Sequence, residues 1–162
     1  EKFAENIQIL QTLKDYQYKY DVTLKLYPND NKNYDLYDEI LTDIGATKIN
    51  LVLDKKSINC LINKCDLAIS TWVSTTFFEL LNTSCDQFLF DDSDLEDKSI
   101  KLFSEHIFFE SEIDKFCLKL KRYLDEGKFY LGNKKILRDF YLDYNNRCKR
   151  SDKISTFLKK YK

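Results

Sequence analysis

Residues 66–81 read DLAISTWVSTTFFELL, and the change of character along this stretch fixes the reading of everything around it. DLAIS is a short apolar run with strand character, whereas TTFFELL has the composition of a helix. At the junction stand five hydroxyl side chains, Ser70, Thr71, Ser74, Thr75 and Thr76. Thr76 and Glu79 have capping-box spacing, so a helix start is expected here with or without a ligand. One Ser or Thr suffices to cap a helix, and this turn carries several more than that.

Toward the N-terminus the same alternation recurs. Residues 5–20 set Ile7, Leu10, Leu13 and either Tyr16 or Tyr20 on one helical face, and DVTLKLYP follows as a strand that stops at Pro28 before the polar loop NDNKNYD. YDLYDEILTDIG reads as a helix closed by Gly45, TKINLVLD as a strand and KKSINCLINKC as a helix. Beyond the central stretch come the strand DQFLFDD, a charged segment with helix potential, and an apolar run over residues 106–109. A helix from Ser111 follows, with Phe116, Leu120, Tyr123 and Leu124 as its buried stripe. Ile136, Leu137, Phe140 and Tyr144 carry a last helix, and DKISTFLKKYK a basic tail.

Short strands alternating with helices predict an α/β fold, a Rossmann-like doubly wound parallel sheet with helices on both faces. Residues 1–130 are expected to form one α/β domain, with the helices of 131–162 packing on it. This topology expects a strand before the first helix, and the sequence contains no Met, even at position 1. Both features read as a piece of a longer product.

Lys plus Arg number 26 against 27 Asp plus Glu, a net charge of -1, so no global field favours nucleic acid. Any anion site must be local. Cys60, Cys65, Cys85, Cys117 and Cys148 are an odd set without CxxC spacing, mostly in apolar stretches, which fits a reduced cytoplasmic protein. His106 is the single His, which argues against a His/Cys zinc centre and gives a Cys nucleophile only one candidate base. No apolar run reaches the roughly 18–20 residues of a membrane span.

In open parallel sheets ligands gather beyond the carboxyl ends of the strands, where the next helix presents unpaired N–H groups. Ser70, Thr71, Ser74, Thr75 and Thr76 fall there, and their hydroxyls can donate to phosphate oxygens. Glu79, about one turn further on, can accept the hydroxyls of a ribose. Lys25 lies near the end of its strand, placed either to neutralise a phosphate or to stand solvated. Asp54 ends another strand. The acidic loop over residues 91–97 could bind a metal or a sugar but reads better as solvated, and His106 reads as structural.

Together, LKLYPND and DLAISTWVSTTFFELLNTSCDQFLFDD resemble the C-terminal, donor-binding half of two-domain GT-B transferases that build bacterial surface carbohydrates, and more distantly the CDP-glycerol glycerophosphotransferases. The likeness spans roughly residues 5–130. Cys85 and Asp86 stand where such sequences tend to have Gly and Pro, and no His follows LYP as in the glycerophosphotransferases. By this resemblance Ser74, Thr75 and Thr76 would hold the donor phosphates, Glu79 the ribose, and Lys25 the position of a basic residue. It implies a nucleotide-activated sugar as donor substrate, no metal and no further cofactor, and a glycan or lipid-linked acceptor. The general base would come from an N-terminal domain, so this chain alone would bind donor and catalyse little.

Two other readings compete. A nucleotide-sugar epimerase shares the architecture but draws carboxylates and His from both domains. A non-catalytic flavodoxin-like interaction module would use the Ser/Thr turn for capping alone. The tail cations Lys149, Arg150, Lys153, Lys159, Lys160 and Lys162 suit a solvated helix end, or a peripheral contact with the inner face of the cytoplasmic membrane.

Overall fold

The computed structural model describes residues 2–26, 33–52, 58–127 and 132–142. Asp54, Tyr144, Cys148 and the basic tail lie outside the described residues, as does the loop after β1 that includes Pro28. Twelve elements run in the order α1 (Lys2–Lys14), β1 (Thr23–Lys25), α2 (Tyr34–Asp43), β2 (Asn50–Val52), α3 (Asn59–Ile62), β3 (Leu67–Ser70), α4 (Thr75–Leu80), β4 (Asp86–Phe90), α5 (Asp97–His106), β5 (Phe108–Glu110), α6 (Ile113–Glu126) and α7 (Lys134–Leu142). This is the helix–strand alternation that the sequence predicts. The described strands pair as two parallel sheets, β1-β2 and β3-β4-β5, and the chain divides into two units, Glu1–Ser57 with Ile113–Gly127, and Ile58–Glu112 with Lys128–Lys162.

In the first unit β1 pairs with β2 from Thr23↔Asn50 to Lys25↔Val52. Its core joins Leu10, Leu26, Tyr37, Leu41, Ala46 and Ile49. The end of α2 shows how local chemistry sets this packing. Gly45 takes φ 74°, a value cheap only for glycine, so the chain reverses at once. Gly45 N–H then donates to the Thr42 carbonyl and Ala46 N–H to the Leu41 carbonyl, the Schellman pattern that satisfies two orphan acceptors and drops Ala46 into the core. Buried Gln17 secures the same corner, donating to Gly45 O at 3.0 Å and accepting from Lys48 N at 2.9 Å. Helix α6 buries Phe116, Leu120, Tyr123 and Leu124, the four stripe residues expected.

In the second unit β4 is the central strand, with Leu67↔Asp86 to Ser70↔Leu89 on one side and Phe88↔Phe108 to Phe90↔Glu110 on the other. Burial of Gln87 through Phe90 without a break is the mark of a parallel strand covered on both faces. Leu89 and Phe109 point to one face, where Phe77 and Phe78 of α4, Phe103 of α5, and Leu137 and Tyr141 of α7 pack over them. The rings meet as pairs, Phe77 on Phe103 at 5.4 Å and Phe103 on Tyr141 at 5.7 Å, geometries that add to simple area burial. On the opposite face Phe88 stacks on Phe108 at 4.0 Å.

Candidate functional site

The loop between β3 and α4 leaves the carboxyl end of β3, as the sequence predicts. Its conformation is set by a carboxylate that sequence reasoning assigned to solvent. Asp91, the first residue after β4, is only 2% exposed. Its Oδ2 accepts from Val73 N at 3.0 Å, and its Oδ1 from Ser93 N at 3.0 Å and from the Ser93 hydroxyl. A buried carboxylate that accepts several N–H and O–H donors is satisfied in place. It clasps the exit of β3 to the exit of β4. The solvated-loop reading holds for Asp92 and Asp94, both exposed, and fails for Asp91.

The helix start also differs from the capping box expected at Thr76. Ser74 is the N-cap, in extended conformation at φ -129° and ψ 177°, and its Oγ accepts from Phe77 N at 3.3 Å. The reason lies in the core: Phe77 and Phe78 must both turn inward, which is met when α4 begins at Thr75. Ser74 thus spends its oxygen on the helix. Thr75 and Glu79 stand four residues apart and Thr76 and Glu79 three, so all three share one side of α4; Thr75 and Glu79 are exposed and Thr76 half-buried.

Of the other expected site residues, Ser70 closes β3 and is half-buried, as is Thr71. Trp72, which the sequence reading did not assign, is 44% exposed between Thr71 and the clasped Val73. Lys25 belongs to the first unit, half-buried at the end of β1, with its Nζ 3.4 Å from Leu26 O. The structure therefore gathers Ser70, Thr71, Ser74, Thr75, Thr76 and Glu79 on one strand–turn–helix segment, and places Lys25 in a different unit. Because α4 has six residues, under two turns, its dipole adds little, and hydroxyls and loop amides are the available anion donors.

Lys134 of α7 supports the far end of α4. Its Nζ donates to Cys85 O at 2.7 Å and Leu80 O at 3.0 Å, and burial pushes its pKa down. Nothing in the local pattern KKILRDF marks this lysine as distinct from its neighbours. Among the described residues no three His, Cys, Asp or Glu side chains gather as a metal site, and no helix is long and apolar enough to cross a membrane. His106 closes α5 and is half-buried. Comparison with known proteins gave no match to a family model, a curated protein or a solved structure.

Proposed function

We propose that the second unit binds the nucleotide part of an activated sugar at the β3–α4 turn. In this reading the chain is the donor half of a GT-B glycosyltransferase of bacterial surface-glycan assembly, and its strands belong to a Rossmann-like doubly wound arrangement. The observation that carries the reading is the Asp91 clasp on Val73. It holds a hydroxyl-rich turn at the carboxyl edge of parallel strands, the edge where open α/β sheets take ligands. Thr75 and Thr76 would donate to the phosphates, together with the half-buried hydroxyls of Ser70 and Thr71. Ser74 would contribute mainly by starting the helix. Glu79, on the same side of α4 as the two threonines, would accept from the ribose.

Trp72 is the single tryptophan of the chain and lies within this turn, so its emission reports on the site directly. Titration with UDP, GDP, ADP, CDP and CMP, followed by Trp72 fluorescence and by calorimetry, tests the reading. A saturable response to one nucleotide, lost in Glu79→Ala and in Thr75→Ala/Thr76→Ala at unchanged stability, supports it. No response to any of them at millimolar concentration would sink it and leave the turn as a helix start alone.

A further inference from the structure

At the opposite, amino-terminal edge of the same sheet, two thiols lie together. Cys65 precedes β3 and Cys85 precedes β4, and both join the apolar cluster of Ile62 and Leu80. Cys85 is buried in that cluster and Cys65 packs against it. Strand register brings their backbones near each other. Leu67 pairs with Asp86, and Asp86 N donates to Asp66 O at 2.7 Å, so Cys85 stands opposite Asp66 and diagonal to Cys65. A spacing of about 4.8 Å between strands and about 3.3 Å along them gives a diagonal Cα separation near 6 Å, inside the range a disulfide spans.

The surroundings hold Cys85 in place. Thr83 Oγ1 lies 2.9 Å from its sulfur, and Lys134 Nζ donates to its carbonyl at 2.7 Å. Cys65 donates to Ile62 O at 3.4 Å. Cys85 is 3% exposed and Cys65 half-buried, so Cys65 is the one that solvent reaches.

We propose that Cys65 and Cys85 are a reversible redox pair, closed to a disulfide by a low-molecular-weight disulfide such as oxidised glutathione. The Cys65 thiolate attacks one glutathione sulfur and expels the other as glutathione thiolate, which takes up the proton. Cys85 then attacks Cys65 Sγ, forms the Cys65–Cys85 bond and expels the second glutathione. Two protein thiols are oxidised and one glutathione disulfide is reduced to two glutathiones. The bond closes a loop that contains β3, the whole hydroxyl-rich turn and α4.

Burial, then contact with Cys85, pushes the Cys65 thiol up to about 11. Asp66 pushes in the same direction, and Lys134 faces Cys85, Asp86 and Cys65. Closure is therefore slow at neutral pH and accelerates roughly tenfold per pH unit while the thiolate is the minor form.

The test is peptide mapping of the full chain after incubation with oxidised glutathione at pH 7 and 9, with the remaining thiols alkylated before digestion. The expected result is a Cys65–Cys85 linked peptide that forms faster at pH 9, reverts with dithiothreitol and persists in Cys60→Ser, which alters an exposed cysteine. Cys65 recovered only as its glutathione adduct, or fully alkylated, would overturn the proposal, as would Cys60 or Cys117 as the partner. The unsubstituted chain decides the matter by itself, so a folding defect in Cys85→Ser does not obscure it.

Discussion

Val73 and Asp91, eighteen residues apart in sequence, are joined by a buried hydrogen bond of 3.0 Å from the Val73 backbone to the Asp91 carboxylate. This bond decides where the chain goes after β3. A turn rich in Ser and Thr has many competing local hydrogen bonds available, and a fixed acceptor at the end of the neighbouring strand selects one conformation. Packing is thereby linked to the candidate site, because the strand order that makes β3 and β4 neighbours also brings the carboxylate under the turn.

Asp91→Ala is expected to lower stability by about 3 kcal/mol, since it strands a buried Val73 N–H and removes the acceptor of Ser93 as well. Asp91→Asn keeps one acceptor oxygen and should cost about 1–2 kcal/mol. Urea unfolding measures both. A midpoint unchanged in Asp91→Ala would mean that the carboxylate does not hold the turn. If the turn binds nucleotide, Asp91→Asn should also weaken that binding.

The two candidate caps of α4 are separable by substitution. Ser74→Ala removes the acceptor of Phe77 N and should cost about 1 kcal/mol, in the range of N-cap losses. Thr76→Ala removes no cap and should change stability by less than about 0.5 kcal/mol. Equal losses in the two variants, or a larger one at Thr76, would restore the capping box to Thr76 and Glu79.

The elements themselves were legible because their signals are local. Gly45 closes α2 through its own φ, and the stripe Phe116, Leu120, Tyr123 and Leu124 is buried because a helix of period 3.6 has one inner face. What was not legible depends on residues distant in sequence. The burial of Asp91 is set by an amide across the sheet, and the role of Lys134 by carbonyls some fifty residues earlier. The choice of Ser74 over Thr76 follows from two phenylalanines that must both face α5 and α7. Pairing of the strands as β1-β2 and β3-β4-β5 is likewise a property of partners, whereas an apolar run announces only that it is a strand.

Gly132 carries a prediction of steric origin. A Cβ there would meet the Glu105 carbonyl oxygen and lie 2.8 Å from His106 Cα, both backbone atoms that cannot swing aside. Gly132→Ala is expected to cost about 1–3 kcal/mol, as overpacking does elsewhere. Gly127 makes the contrast. At φ 85° it has nothing within 4 Å of the added carbon, so Gly127→Ala carries backbone strain alone, about 1 kcal/mol. Thermal unfolding of the pair should rank Gly132→Ala below Gly127→Ala, and the reverse order would contradict the close approach to the end of α5.

Tyr16 supplies a prediction about pH. Its hydroxyl donates to Asp125 Oδ1 at 2.8 Å, linking the turn after α1 to α6. Burial first, and this hydrogen bond second, raise its pKa from 10.0 to about 12. Below the lower value the folded and unfolded chains both keep the proton, so the stabilisation is fully present. Between the two values the unfolded chain loses the proton more readily than the folded one, so unfolding releases it and stability falls as pH rises through the window. Tyr16→Phe removes both the donor and the titration. It should cost about 1 kcal/mol at neutral pH, and the gap between the two proteins should narrow as pH climbs from 10 toward 12. Unfolding curves for both across that range provide the check. A gap that stays constant with pH would show that Tyr16 contributes packing alone, without the protonated hydrogen bond to Asp125.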